Sequence, residues 1–143
     1  MKVVIDTNVV VSAIFFGGRP RQLLEELLLR NIDTVASPEI LTEYQETIDE
    51  LRSRYPDRPV QIPFPAIVAA CSLVTPSDHF KVCRDPDDDK FIDCAVAGKC
   101  IYIISGDKDL LSLENFREIE ILTVSQFFSR YVPRFHEERP STN

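Results

Sequence analysis

Ile101-Tyr102-Ile103-Ile104-Ser105-Gly106-Asp107 is four apolar residues running into a small polar loop that ends on an acid. An uninterrupted apolar run of this length, without polar alternation, is expected of a strand covered on both faces, the usual situation inside a parallel sheet. Upstream, Phe91, Ile92, Cys94, Ala95, Val96 and Ala97 precede Gly98 and predict a helix apolar nearly all round, hence buried. The N-terminus repeats the arrangement: Lys2 to Ile5 is a short β-branched run that stops at Asp6, and Asn8 to Phe16 is an apolar helix broken by Gly17-Gly18.

Between these two units the periodicity is helical, then extended, then helical again. Pro20 suits a first helical turn, and Leu23, Leu24, Leu27 and Leu28 follow at helical spacing. Ile32 to Ala36 predicts a second strand. Ser37-Pro38 caps a helix that places Leu41, Tyr44, Ile48 and Leu51 on one face. The prolines at 56, 59, 63 and 65 predict a loop over 52–65, and a short helix is expected over 66–73. A last strand at Ile119 to Leu122 and a helix at Ser125 to Tyr131 close the pattern. Strands alternating with helices imply an α/β fold, a three-layer α/β/α sandwich with a central parallel sheet. The expected domain spans 1–132, with a polar, proline-bearing tail over 133–143.

The 143 residues suit one domain, large enough to bury about 70% of the surface of its unfolded chain. With 44% hydrophobic and 27% charged residues, the balance is that of a globular protein rather than a disordered one. No apolar run approaches a bilayer span, and Asp6 interrupts the N-terminus too early for a signal peptide. Cys71, Cys83, Cys94 and Cys100 form no CxxC pair, so free thiols in a reducing cytoplasm are expected. His79 and Cys83 lie i, i+4, but no second ligand pair follows to complete a zinc site. A net charge of −7 argues against a protein that coats nucleic acid through a basic surface. It leaves room for an enzyme whose acids gather a metal and whose few cations sit at the rim.

Ligands of an open parallel sheet bind beyond the carboxyl ends of its strands. Asp6 and Asp107 both lie there, and they meet if their strands are neighbours. Asp85 to Asp89 opens the buried helix, where the positive end of the helix dipole favours acids; that alone accounts for Asp87 and Asp88. Asp89 and Asp93 share one face of an otherwise apolar helix, and buried carboxylates need a metal or a basic partner. Glu43 falls off the apolar stripe near Glu39, Glu46 and Glu50, so periodicity reads it as a solvated acid.

Four blocks, in order and at matching spacing, resemble a PIN domain: Asp6-Thr7-Asn8 after its strand, Ser37-Pro38-Glu39-Ile40-Leu41-Thr42-Glu43, Arg84-Asp85-Pro86-Asp87-Asp88-Asp89-Lys90-Phe91, and Ser105-Gly106-Asp107-Lys108-Asp109-Leu110-Leu111. The likeness runs from residue 2 to about residue 130 and is nearest the VapC-like bacterial branch of toxin–antitoxin systems. It implies a catalytic acidic quartet of Asp6, Glu43, Asp89 and Asp107, with Asp6, Asp89 and Asp107 on the metal. Asn8, Asp93, Ser105 and Asp109 are implied as orienting or extra ligands. The third block leaves Asp88, Asp89 and Asp93 open as the ligand, with Asp89 preferred for its distance to the following strand.

The resemblance further implies hydrolysis of single-stranded RNA with Mg²⁺ or Mn²⁺, a homodimer and a protein antitoxin. Arg19, Arg21, Lys90 and Lys108 are candidates for RNA phosphates, against surface solvation. Two other readings compete. A PIN domain can serve as an RNA-binding or regulatory module, although all four acids are present here. Phosphohydrolases with an aspartyl nucleophile also end their first strand on Asp, but they place a second acid two residues on, where this chain has Asn8.

Overall fold

β1 (Lys2–Ile5) lies at the middle of a six-stranded sheet in the computed structural model, which describes residues 1–131. It is followed by α1 (Thr7–Phe15), α2 (Gly18–Leu28), β2 (Asp33–Ala36), α3 (Pro38–Arg54), α4 (Phe64–Ala70) and β3 (Ser72–Leu73). A 3₁₀ turn at Pro86–Asp88 leads into α5 (Asp89–Ala97). Then come β4 (Tyr102–Ile104), α6 (Lys108–Leu111), β5 (Asn115–Phe116), β6 (Ile119–Leu122) and α7 (Val124–Arg130).

The strands lie in the order β3-β2-β1-β4-β6-β5. All pair in parallel except β5, which returns antiparallel on β6. Val3, Val4 and Ile5 pair with Tyr102, Ile103 and Ile104, and all except Tyr102 are buried. Helices cover the sheet: α5 packs against β1, β2 and β4, α7 against β6, and α1 against α2 and α3. The chain leaves β1 towards β2 on one side and returns as β4 on the other, so the order switches between β1 and β4. A crevice at their carboxyl ends is the geometric consequence.

Local chemistry explains the helix boundaries. The Ser37 hydroxyl accepts from the Ile40 N–H at 3.3 Å, and Ile40, Tyr44 and Ile48 form the buried stripe of α3. The buried Tyr44 hydroxyl donates to the Ile5 carbonyl, tying α3 to the end of β1. Thr123 and Gln126 form a reciprocal capping box at the start of α7. Gly17 and Gly18 adopt φ of 81° and 70°, so a glycine pair supplies the turn between α1 and α2.

Several boundaries depart from the sequence expectation. The helix expected over 66–73 begins at Phe64 and stops at Ala70, and Ser72–Leu73 instead pairs with Val35 and Ala36 as an edge strand. The sheet is not wholly parallel: the short β5, entered through Glu114 at φ 65° and left through Arg117 at φ 55°, pairs antiparallel with β6. Leu23, Leu24 and Leu27 are buried in the core. The tail expected over 133–143 lies outside the described residues. Among the described residues no helix is long and apolar enough to cross a membrane.

Gly98 caps α5 where it approaches β2 closely. A Cβ added there would stand 2.7 Å from Val35 Cγ1 and 3.2 Å from Cys100 Sγ. Valine on a core strand has little rotamer freedom with which to yield. Gly98→Ala should therefore cost about 1–3 kcal/mol, as overpacking does. Thermal unfolding checks this, and a melt at or above wild type would contradict so close a contact.

Candidate functional site

The β1–β4 pairing continues one residue beyond the strands, where the Asp6 N–H donates to the Ile104 carbonyl at 2.9 Å. This fixes Asp6 beside Ser105, whose hydroxyl donates to Asp6 Oδ2 at 2.6 Å. The same Ser105 oxygen accepts from the Asp107 N–H at 2.9 Å, so one fully buried hydroxyl orients two acids. Asp107 Oδ1 accepts from the Asp109 N–H at 3.2 Å, which caps α6. Burial raises the Asp6 carboxyl above its ordinary range, the Ser105 hydrogen bond works against this, and the charges of Asp107 and Glu43 raise it further.

The third acid at this crevice is Asp88. Asp85 accepts from the Asp87 N–H at 3.0 Å and starts the 3₁₀ turn, whose last residue, Asp88, is buried. Asp88 Oδ2 is buried with no hydrogen-bond partner. Burial, then the neighbouring Asp107 carboxyl and the charges of Asp107, Asp6 and Asp85, push Asp88 up to about 8. Two carboxylates have no donor to offer each other, so a proton or a cation must lie between them.

Asp89, the acid preferred from sequence, takes other partners. Its Oδ1 accepts from the N–H groups of Val82 and Cys83 at 3.1 and 2.9 Å. Asp93 accepts from the Phe80 N–H at 2.8 Å and pairs with His79 Nδ1 at 3.2 Å. The i, i+4 pair does share a face and does find partners, but those partners are the strap at 79–83. Asp109 lies at the rim, 3.5 Å from the Arg84 guanidinium.

Glu43 is held from both sides. Thr7 Oγ1 donates to Oε2, and Lys90 Nζ donates to Oε1 at 2.6 Å. Lys90 also reaches the Asp87 carbonyl at 2.6 Å and the Asp87 carboxylate at 3.1 Å. Burial would lower the Lys90 ammonium, but these hydrogen bonds and charges hold it above its ordinary value. Lys90 is thus a buried counter-ion rather than the phosphate contact expected of it. The sequence did carry a signal, since a lysine within a helix apolar nearly all round requires an internal partner. Thr7, quoted in the first block but given no role, has no comparable sequence signature.

Of the other expected phosphate contacts, Lys108 is exposed, and Arg21 lies 3.9 Å from Glu25 along its own helix. Arg19 is exposed, its guanidinium 5.5 Å from the Phe128 ring centre. Asn8 is exposed at the mouth of the crevice. The cluster of Asp6, Asp88 and Asp107 suits a hard divalent cation, since its donors are all carboxylate oxygens and one is buried without a partner. Among the described residues no three acids already close into a cation cage. A cation held here would keep waters, as Mg²⁺ commonly does.

The family described as PIN domain matches residues 2–109. An uncharacterised protein of Methanocaldococcus jannaschii, MJ1680, is 39% identical over 120 residues, covering 80% of this chain and 76% of its own. The crystal structure of PAE2754 from Pyrobaculum aerophilum superposes with a TM-score of 0.54 at 10% identity, covering 91% of this chain and 88% of that one. That structural likeness bears on the fold.

The crowded carboxyls set a pH dependence. Asp88 has a folded pKa of about 8 against an ordinary 3.8, so the stability it contributes while protonated is complete below 3.8 and lost as pH rises through about 8. Without divalent ions the melting temperature should fall between pH 5 and 9, and Asp88→Asn should flatten that fall. Melts across this range, in EDTA, check it. A wild-type and mutant slope of equal size would place the proton elsewhere.

Proposed function

Because the chain belongs to the PIN-domain family, we propose that it is a divalent-metal-dependent endoribonuclease that hydrolyses single-stranded RNA. The observation that carries this reading is the buried, partnerless Asp88 Oδ2 beside Asp107 and Asp6 at the sheet's switch point. Asp6, Asp88 and Asp107 would hold Mg²⁺ or Mn²⁺. Asp89, tied to the strap by two N–H groups, takes a supporting part in this assignment. When bound, the metal would supply a water of lowered pKa and charge stabilisation at the phosphoryl oxygens.

The chain's own residues do the positioning. Ser105 fixes Asp6 and Asp107 relative to one another, and Thr7 with Lys90 fixes Glu43, which helps to orient the attacking water. Water, losing a proton to solvent, would attack phosphorus in line; the bond to the 3′ oxygen would break, that oxygen would take a proton from solvent to become a 3′ hydroxyl, and the other product would carry a 5′ phosphate. Arg84 and Lys108 line the rim and can meet neighbouring phosphates. All four cysteines are free, which supports a cytoplasmic setting. The branch resemblance supports a toxin role with a protein antitoxin, and an antitoxin gene beside this one would establish it.

Asp6→Asn should abolish Mn²⁺-dependent cleavage of single-stranded RNA while leaving the chain folded. Cleavage surviving both this change and EDTA would overturn the assignment. Mn²⁺ should raise the melting temperature, since a ligand of the folded state at 100 times its Kd adds about 2.7 kcal/mol. The rise should shrink in Asp88→Asn and Asp107→Asn; equal rises in all three proteins would count against a shared metal site. The resemblance also supports a homodimer, whose contact would lie outside the buried leucines of α2. Light scattering at micromolar concentration decides this, and a monomer mass would remove the dimer and leave the nuclease untouched.

A further inference from the structure

Beside the acids lies a hollow of about 380 Å³, lined in part by Asn8, Ser12, Arg19, Ser105 and Gly106. Its volume falls within the range of small-ligand sites, about 300–1,000 Å³. It adjoins the acid loop, because Ser105, which lines it, is also the residue whose hydroxyl holds Asp6. Its lining combines the apolar residues Val9, Pro20 and Val124 with the hydroxyl residues Ser12, Thr123 and Ser125. Arg19 stands at the edge, its guanidinium over the Phe128 ring.

Gly106 gives the hollow its purpose. Its φ is not positive, so its backbone does not demand glycine. Packing does not demand it either, since a Cβ built there meets no atom within 4 Å. This contrasts with Gly98, where the fold itself excludes a side chain. The space beside Gly106 is open and forms part of the hollow, so a side chain placed there would intrude on it without meeting protein.

We propose that this hollow seats the nucleotide next to the scissile bond. The base would lie against Val9, Pro20 and Val124, the ribose hydroxyls would face the serines, and Arg19 would take the adjoining phosphate. An apolar wall for a base face and hydroxyls for a 2′-OH are the chemistry by which single-stranded RNA is bound. The assignment rests on the nuclease reading, and it adds a binding seat that the acids alone do not provide.

The test uses the full chain with Mn²⁺ and a single-stranded RNA carrying 4-thiouridine. Gly106→Val intrudes on the hollow. Its melting temperature and its Mn²⁺-induced rise should match wild type, while the KM for RNA should increase about tenfold with kcat held within about twofold. Gly106→Ala should show a smaller KM increase and melt no lower than wild type. Photocrosslinks should map to 8–12, 19–20 or 123–125 and should weaken in Gly106→Val. Hydrolysis by wild type with crosslinks elsewhere, or an unchanged KM in Gly106→Val, would overturn the seat and leave the nuclease standing. Crosslinks in the hollow without hydrolysis would sink the nuclease reading and overturn the seat's place beside a scissile bond, leaving RNA binding in the hollow. A hollow built for a protein segment would show itself as RNA that never crosslinks there, which also overturns the proposal.

Discussion

Carboxylates that the fold forces together must be kept from driving it apart, and much of the architecture around the crevice answers that constraint. At about 5 Å and an effective dielectric near 20, one ionised pair repels by about 3 kcal/mol, a sizeable part of a domain's stability. Parallel pairing of β1 with β4 leaves no choice, because it carries Asp6 and Asp107 to the same edge. The chain offsets the repulsion in three ways. Ser105 hydrogen-bonds Asp6, Lys90 pairs with Glu43 and Asp87 from within, and burial beside Asp107 favours the protonated form of Asp88. Only the last is undone by a cation, which ties metal affinity to proton release.

The division of labour among the adjacent acids follows from helix geometry. Consecutive residues of a helix point roughly 100° apart, and Asp88 and Asp89 accordingly face different surroundings. Asp88 ends the 3₁₀ turn and lies beside Asp107; Asp89 begins α5 and accepts from the strap. Asp93, one turn on, continues the Asp89 face and holds the same strap at Phe80. The i, i+4 rule therefore predicted a shared face and a need for partners correctly. It could not say that backbone N–H groups are among the partners, because those groups come from a segment without periodicity.

That boundary separates what was legible in the sequence from what was not. β1, β2, β4 and β6, with the buried α5, announce themselves by apolar runs that end on polar or glycine residues. The α/β architecture and the convergence of Asp6 with Asp107 follow from them. β3 and β5 are two-residue edge strands defined by their partners, with too few side chains to make a pattern. Glu43 is similar: its own helix makes it a solvated acid, and only Thr7 and Lys90, far away in sequence, bring it into the site. Interactions that are local in sequence could be read from it, and those created by long-range closure could not.

The buried Lys90 also changes how an acidic protein can meet an acidic substrate. Its three N–H groups are directed at Glu43 and Asp87, so it lends no positive charge to the surface. Arg21 lies along its helix beside Glu25, which leaves Arg19, Arg84 and Lys108 as the expected or observed cations nearest the crevice. Three dispersed cations on a chain of net charge −7 make a weak electrostatic footprint for a polyanion. Under the proposed nuclease function, attraction of the phosphate would come chiefly from a cation bound among the acids, and retention of the rest of the substrate from non-ionic contacts. An apolar and hydroxyl-lined hollow beside Ser105 is a surface of that kind, and on the proposed reading it would make the protein's negative charge compatible with a nucleic-acid substrate.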